Sequence, residues 1–190
     1  MAVPSVAHAT YDQFKAATIG NAYDLDGYPT SQPYQCWDGV DLLYQQSDVG
    51  QYLYTGINYG GYGYAKECWT YADARQQNGS GHFSMVFNKA DIKRGDIIVF
   101  NTYGSWYGTA GHIGFADEDY NGTDYINILS QNFYGKHYMD VDQAYLGQAF
   151  LGAFRYDAWA QPVPPTPTSK KRRHFPWPIA WENWAGFENF

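Results

Sequence analysis

The spacing of apolar positions changes along the chain from helical to strand-like. Apolar residues recur at helical intervals over 8–19 and again from residue 36 to about residue 47. Short apolar runs bounded by turn residues follow, and they predict strands over 96–100, 112–117, 125–130 and 150–156. This order indicates an α+β fold in which N-terminal helices pack on an antiparallel β-sheet.

A third helical segment surrounds Cys68 and is predicted to end near residues 78–79. Its apolar stripe, at positions i, i+3, i+4 and i+7, consists of Ala65, Cys68, Trp69 and Ala72. A free cysteine on such a face packs as a small hydrophobic residue. We therefore expect Cys68 to be buried in the core.

Cys36 lies at the head of the second predicted helix, after the turn-rich stretch 24–28. A thiol in the first turn of a helix faces unpaired backbone N–H groups and the positive end of the helix dipole, and both favour the nucleophilic thiolate. A lone cysteine is nevertheless commonly a buried structural thiol. The case for a nucleophile therefore depends on a histidine elsewhere in the sequence.

His112 begins the second predicted strand, and Ser130 and Asn132 lie at the end of the third. A cysteine, a histidine and a polar residue that orients the histidine are the parts of a cysteine hydrolase. On a strand, Ser130 and Asn132 face the same side, so either could accept the histidine N–H. We prefer Asn132, because papain-type proteases use an asparagine in this role.

Four segments resemble, in order and spacing, the signature blocks of the CHAP domain, the cysteine, histidine-dependent amidohydrolase/peptidase domain of phage endolysins and bacterial cell-wall hydrolases. They are 35–38, 93–100, 111–114 and 130–133, and the resemblance covers roughly the first five-sixths of the chain. It implies a papain-like fold of the NlpC/P60 type that cleaves amide bonds in peptidoglycan. Ser130 stands where several relatives have the glutamate that orients the histidine, which leaves the third residue of the triad open.

The resemblance implies a phage peptidoglycan hydrolase, either an endolysin or a virion-associated lysin. We predict a thiolate–imidazolium pair of Cys36 and His112, with the Cys36 N–H and Gln35 as donors to the oxyanion. The scissile bond is either the N-acetylmuramoyl-L-alanine amide or a peptide bond of the stem or cross-bridge. The alternative is a catalytically silent wall-binding or phage tail structural protein that keeps the fold.

The acidic loop before Cys36 has the oxygen-rich pattern of a Ca²⁺ site. Some CHAP endolysins bind calcium at a similar loop, and the resemblance implies Asp24, Asp26 and Asp38 as side-chain ligands and Tyr28 as a carbonyl ligand. Such a calcium ion would be structural. The alternative is an ordinary Asp/Gly turn, which needs no metal. We expect neither zinc nor an organic cofactor, because the two cysteines are far apart and no zinc-binding spacing is present.

The composition of the chain limits which binding partners and which location we expect. Because the net charge is −7, nucleic acid is not expected as the main partner. No apolar run approaches the length of a membrane span, and the N-terminus has no signal-peptide pattern. We therefore expect the protein to stay in the host cytoplasm until lysis, or to travel in a virion, and to act on a Gram-positive wall. Aromatic residues make up 19% of the chain, and tyrosines of the Gly-rich loops, such as Tyr62 and Tyr64, either line a substrate groove or pack the loops.

The composition changes after residue 160. A catalytic domain over 1–159 is followed over 160–190 by a Pro-rich linker and a basic, aromatic tail. The tail is too short to sustain a core of its own. We predict that it binds the wall, a membrane or a second copy of the chain, and a disordered terminus is the alternative.

Overall fold

The computed structural model describes residues 8–25, 35–46, 49–50, 52–104 and 107–160. In these ranges, four α-helices precede one antiparallel sheet and a short fifth helix follows it. The helices are Tyr11–Thr18 (α1), Cys36–Tyr44 (α2), Glu67–Thr70 (α3), Ala72–Asn78 (α4) and Asp157–Ala160 (α5), with 3-10 turns at Gly56–Tyr59 and Lys89–Asp91. The strands are Phe83–Val86 (β1), Ile97–Phe100 (β2), His112–Ala116 (β3), Tyr125–Ser130 (β4), Asp140–Tyr145 (β5) and Phe150–Tyr156 (β6). The expected α+β architecture is confirmed.

The six strands form one sheet in the order β1-β6-β2-β3-β4-β5, and every neighbouring pair is antiparallel. In the β2–β3 pair, Phe100 lies opposite His112, and in the β3–β4 pair, Phe115 lies opposite Leu129. The start of β3 and the end of β4 therefore lie side by side, at the same end of these two strands. This register brings His112 and Ser130 together although 18 residues separate them in sequence.

The centre of the sheet is buried on both faces. Ile97 and Val99 of β2 pack with α1 and α2 in one apolar cluster, whereas Ile98 and Phe100 belong to a second cluster on the other face. A strand that is covered on both sides has a continuous apolar sequence instead of an alternating one. This explains why β2 was recognisable from its sequence alone.

Two strands and a helix break were not predicted. Strands β1 and β5 lie at the two edges of the sheet and contain polar residues, so their sequences do not have a clear strand pattern. The segment around Cys68 is divided into α3 and α4, because Tyr71 adopts extended backbone angles (φ −82°, ψ 119°). Cys68 itself is fully buried, as expected.

The predictions for the tail and for part of the acidic loop lie outside the described residues. These are the linker and tail after residue 160 and the segment 26–34. Within the described ranges, no helix has the length and apolar character needed to cross a membrane.

Candidate active site

The N-terminus of α2 is fixed by Asp38, which lies in its first turn. The carboxylate of Asp38 accepts hydrogen bonds from the backbone N–H of Gln35 (2.8 Å) and from the backbone N–H of Leu25 (3.0 Å). An acidic side chain in this position satisfies a backbone donor at the start of the helix and interacts favourably with the helix dipole. As predicted, Cys36 is the first helical residue.

The sulfur of Cys36 lies against the start of β3. A backbone hydrogen bond from Ile113, the residue after His112, lowers the pKa of the thiol, and the backbone of Trp37 and Cys36 contributes in the same direction. Cys36 is partly exposed to solvent. Burial raises the pKa of the thiol to about 11, because it outweighs these three donors, and the nearby charge of Asp38 raises it further.

His112 is buried, with 5% of its surface exposed. Its Nε2 lies 3.0 Å from the hydroxyl oxygen of Ser130, and its ring contacts Phe133 with 4.8 Å between the ring centroids. Burial lowers the pKa of the imidazole to about 3. Gly114 permits the close approach of the two strands here, because a Cβ at this position would lie only 2.7 Å from the Cβ of Ser130.

The two pKa shifts run against the predicted ion pair. Both shifts favour the uncharged forms, a thiol at Cys36 and a neutral imidazole at His112. Burial disfavours charge on each group, and for the thiol it outweighs the backbone donors at the start of α2.

Ser130, and not Asn132, is the residue that the structure brings to His112. Strand β4 ends at Ser130, and Asn132 is exposed in a left-handed conformation (φ 56°), with its backbone N–H bonded to the carbonyl of Lys136. Our preference for Asn132 assumed that the strand continued to residue 132. Because the chain turns after Ser130, the alternation of side chains along a strand does not extend to Asn132.

Gln131 is a residue of the site region that sequence reasoning did not select. Its buried side-chain amide accepts a hydrogen bond from the N–H of Tyr23 (2.8 Å) and donates to the carbonyls of Tyr23 (2.7 Å) and Gln35 (3.1 Å). It thus joins the end of β4 to the segment that leads into α2. The sequence did contain a signal for this role. Gln131 is a polar residue between Ser130 and Asn132, and on a strand its side chain faces the side opposite to theirs.

Only one group of Gln35 remains for its predicted role as a donor to the oxyanion. Its backbone N–H is bonded to Asp38 and its carbonyl accepts from Gln131, so these two groups are already engaged. The side-chain amide of Gln35 is the remaining group that could donate to an oxyanion.

The predicted calcium ligands are only partly described. Asp26 and Tyr28 lie outside the described residues, and Asp24 is exposed. Asp38 is buried, and its two carboxylate oxygens accept the backbone N–H groups of Gln35 and Leu25. Among the residues that the structure describes, no three His, Cys, Asp or Glu side chains are grouped as a metal site would require.

Comparison with known proteins found similarity to phage lytic enzymes. No family model matches the chain. The chain is 32% identical over 128 residues to the D-alanyl-L-alanine endopeptidase of Streptococcus phage B30, an alignment that covers 65% of this chain and 25% of that protein. The chain thus spans about a quarter of the length of this curated relative.

The fold is similar to that of a solved structure. The crystal structure of a wild-type endolysin, LysIME-EF1, superposes with a TM-score of 0.50 at 21% sequence identity, covering 75% of this chain and 60% of the endolysin. At this level of identity the similarity concerns the fold, and any function has to be argued from the site.

Proposed function

We propose that this chain is a phage peptidoglycan hydrolase with a CHAP-type, papain-like fold, in which Cys36 is the nucleophile and His112 the general base. The observation that carries the proposal is the position of the Cys36 sulfur at the N-terminus of α2, bonded to the N–H of the residue that follows His112. The hydrogen bond between His112 and Ser130 supplies the third member. The name of the phage B30 relative supports a wall peptide as the substrate.

The two ring nitrogens of His112 have separate roles in this proposal. The Ser130 hydroxyl both donates and accepts, so its contact with Nε2 is compatible with either tautomer. The proposed tautomer carries the proton on Nε2 and donates it to Ser130, which leaves a lone pair on Nδ1 to accept the thiol proton. Ser130 contacts the imidazole without adding a charge, which suits a group whose pKa is lowered by burial.

The reaction follows from a neutral thiol and a neutral imidazole. The sulfur attacks the amide carbonyl while His112 takes its proton, and the resulting oxyanion receives hydrogen bonds from the Cys36 N–H and the Gln35 side-chain amide. The carbon–nitrogen bond then breaks as His112 returns the proton to the departing amine. Water attacks the thioester, again with His112 as the base, and the thiol is restored.

The scissile bond is proposed to be a peptide bond of the cross-bridge. The phage B30 relative is named as an endopeptidase for the D-alanyl-L-alanine bond, and its alignment covers 65% of this chain. Mass spectrometry of digested walls tests the assignment: free amino groups on cross-bridge alanine support it. Release of intact stem peptides from muramic acid would indicate an amidase instead.

Mutation of the two cysteines tests the enzymatic function itself. Cys36→Ala is expected to abolish the clearing of purified Gram-positive walls, whereas Cys68→Ala is expected to retain it, because Cys68 is a buried packing residue. Clearing by Cys36→Ala at the parent rate would contradict the mechanism. A parent chain that binds walls without releasing any product would favour the structural, noncatalytic alternative.

A structural calcium ion is proposed for the segment before α2. Asp24 and Asp38 carry the carboxylate oxygens that Ca²⁺ prefers, and a bound ion would brace this segment against the helix that carries Cys36. The test is the thermal unfolding midpoint in calcium and in EGTA, for the parent and for Asp24→Asn. Equal midpoints of the parent in both conditions would contradict a calcium site.

A further inference from the structure

Lys66 lies directly beside the proposed active site. Its backbone N–H donates to the carbonyl of Ala110 (3.0 Å), two residues before His112. Its Cβ packs against Gly111, where an added Cβ would be only 2.8 Å away. The chain around Lys66 is therefore fixed against the segment that leads into His112, although it comes from a different loop.

The ammonium group of Lys66 has no carboxylate partner among the described residues. Its Nζ donates to the Thr102 hydroxyl (3.0 Å) and lies 5.8 Å from the centre of the Tyr64 ring. Six other cations of the described residues form ion pairs with aspartates: Lys15, Lys89, Lys93, Arg94, Lys136 and Arg155. Arg75, like Lys66, has neutral partners, the carbonyl and the ring of Trp69. In a chain of net charge −7, a lysine held by a neutral hydroxyl next to the segment that leads into His112 is suited to bind an anionic group of a ligand.

The loop next to Lys66 is held in one shape by a buried carboxylate. Glu67, only 4% exposed, accepts hydrogen bonds from the backbone N–H groups of Tyr62, Gly63 and Tyr64 at 2.8 to 3.1 Å. The backbone packs so closely on this carboxylate that an added Cβ at Gly61 would lie 2.6 Å from its oxygen. Binding residues on this loop are thus preorganised, and little ordering has to accompany association.

Two tyrosines of this loop form an exposed aromatic surface. Tyr62 is 80% exposed, and its ring stacks on that of Tyr64 with 5.4 Å between centroids and 22° between planes. An exposed large aromatic side chain on a fixed loop is a common binding element, because it offers contact area at a low entropic cost. Tyr62 and Tyr64 thus place an apolar surface next to the ammonium of Lys66.

We propose that Tyr62, Tyr64, Lys66 and Thr102 form a substrate subsite, the Lys66 subsite, that binds a free carboxylate of a wall peptide. The Lys66 ammonium binds the carboxylate, and the stacked tyrosines pack against the peptide that carries it. Thr102 positions the ammonium: its hydroxyl accepts from Lys66 and donates its own proton to the carbonyl of Thr109 (3.0 Å). The inference rests on the proposed function, since it names the chemical group by which the same site selects its substrate. It predicts that the enzyme distinguishes a peptide carboxylate from the corresponding carboxamide.

Two synthetic muropeptides that differ only in one carboxylate or carboxamide test the subsite. The parent chain is expected to cleave the carboxylate form about tenfold better in kcat/KM, a ratio typical of one charge-assisted hydrogen bond. Lys66→Met should reduce this ratio to near one, and Lys66→Arg should largely restore it. Lys93→Met is the matched control, because it removes an exposed lysine at the opposite end of β2.

A binding measurement separates the subsite from the catalytic proposal. The same two muropeptides are titrated calorimetrically into the Cys36→Ala chain, with and without Lys66→Met, so that turnover is not needed. If the Cys36→Ala chain prefers the carboxylate form and Lys66→Met removes this preference, the subsite is supported. Failure of the parent chain to cleave either compound would overturn the proposed function but not the subsite. Equal binding of the carboxylate and carboxamide forms by the Cys36→Ala chain would overturn the subsite.

The aromatic part of the subsite has its own control. Tyr62→Ala is expected to weaken binding of both muropeptides by a similar factor, roughly five- to tenfold, through loss of packing area. Tyr125→Ala removes a partly exposed tyrosine at the start of β4, the end away from Ser130, and should leave binding unchanged. Equal binding by the parent and Tyr62→Ala would remove the tyrosine surface from the proposal.

Discussion

At the scale of single residues, the site combines groups whose charged forms are disfavoured. Burial disfavours the charged forms of both Cys36 and His112, and Ser130 is an uncharged partner of the imidazole. The positions of Cys36 at the start of α2 and of His112 at the start of β3 could be predicted from the local sequence pattern. The choice between Ser130 and Asn132 could not, because it depends on the residue at which β4 ends.

The hydroxyl of Ser130 should matter for turnover more than for stability. Ser130→Ala removes the acceptor of the Nε2 proton, so the imidazole loses its fixed tautomer, and kcat should fall about ten- to thirtyfold, the effect of one buried hydrogen bond. Ser130→Thr, which keeps a hydroxyl, should recover part of the loss. Asn132→Ala should retain the parent rate within about twofold, as expected for an exposed residue. A larger loss in Asn132→Ala than in Ser130→Ala would reverse the assignment.

Burial of His112 should make the protein sensitive to acid. The folded-state pKa is lowered from 6.5 to about 3, so below pH 6.5 the unfolded chain binds a proton that the folded chain does not. The free energy of unfolding should therefore fall as the pH falls from 6.5 towards 3, by at most about 1.4 kcal/mol per pH unit from this residue. Urea titrations across this range should give a shallower slope for His112→Gln.

The exposed His82 provides the control for that experiment. His82→Gln makes the same substitution at a histidine whose side chain is exposed to solvent, and it is measured alongside His112→Gln. Parallel pH dependences for the parent and His112→Gln would show that the imidazole titrates normally in the folded state.

At the scale of elements, the site depends on contacts between segments distant in sequence. Helix α2 could be predicted to begin at Cys36 from its local pattern, and Asp38 lies within that pattern. The bonds from Gln131 to Tyr23 and Gln35 span 108 and 96 residues, and no local rule predicts them. The edge strands β1 and β5 were not predicted for the same reason. They are strands because they pair with neighbouring strands, and their composition alone does not indicate it.

Gln131 is therefore expected to hold the nucleophile helix in place. Gln131→Ala leaves the N–H and carbonyl of Tyr23 and the carbonyl of Gln35 without this partner and should lower the free energy of unfolding by about 2–4 kcal/mol. It should also raise the rate at which a thiol reagent modifies Cys36. Gln143→Ala, an exposed position on β5, is the matched control. An unchanged stability of Gln131→Ala would contradict a positioning role.

At the scale of the whole molecule, the last described strand completes the sheet. Strand β6 lies between β1 and β2, so β1 is joined to the other four strands only when residues 150–156 are in place. Helix α5 then returns to α1: the Trp159 ring lies 5.4 Å from that of Phe14, and its indole N–H donates to the carbonyl of His8 (2.9 Å). These contacts join the C-terminal end of the described residues, where the boundary between residues 159 and 160 is predicted, to α1.

Shortened chains test this boundary. A chain ending at residue 160 should unfold cooperatively with the stability of the full chain, because it retains every described contact of α5. A chain ending at residue 156 loses Trp159, which is partly buried, and should be less stable by roughly 1–3 kcal/mol, the cost of losing the packing of one large apolar side chain. Thermal denaturation followed by circular dichroism measures both. Equal midpoints for the two shortened chains would contradict a packing role for α5.

The central position of β6 also has a consequence for synthesis on the ribosome. The codons for this strand are translated after those for Cys36, His112 and Ser130, so the growing polypeptide carries all three before it can bridge β1 and β2. Non-local pairing of this kind delays folding until the participating segments have emerged. Strands β1 and β2 therefore lack their shared partner on the nascent chain until residues 150–156 have left the ribosome.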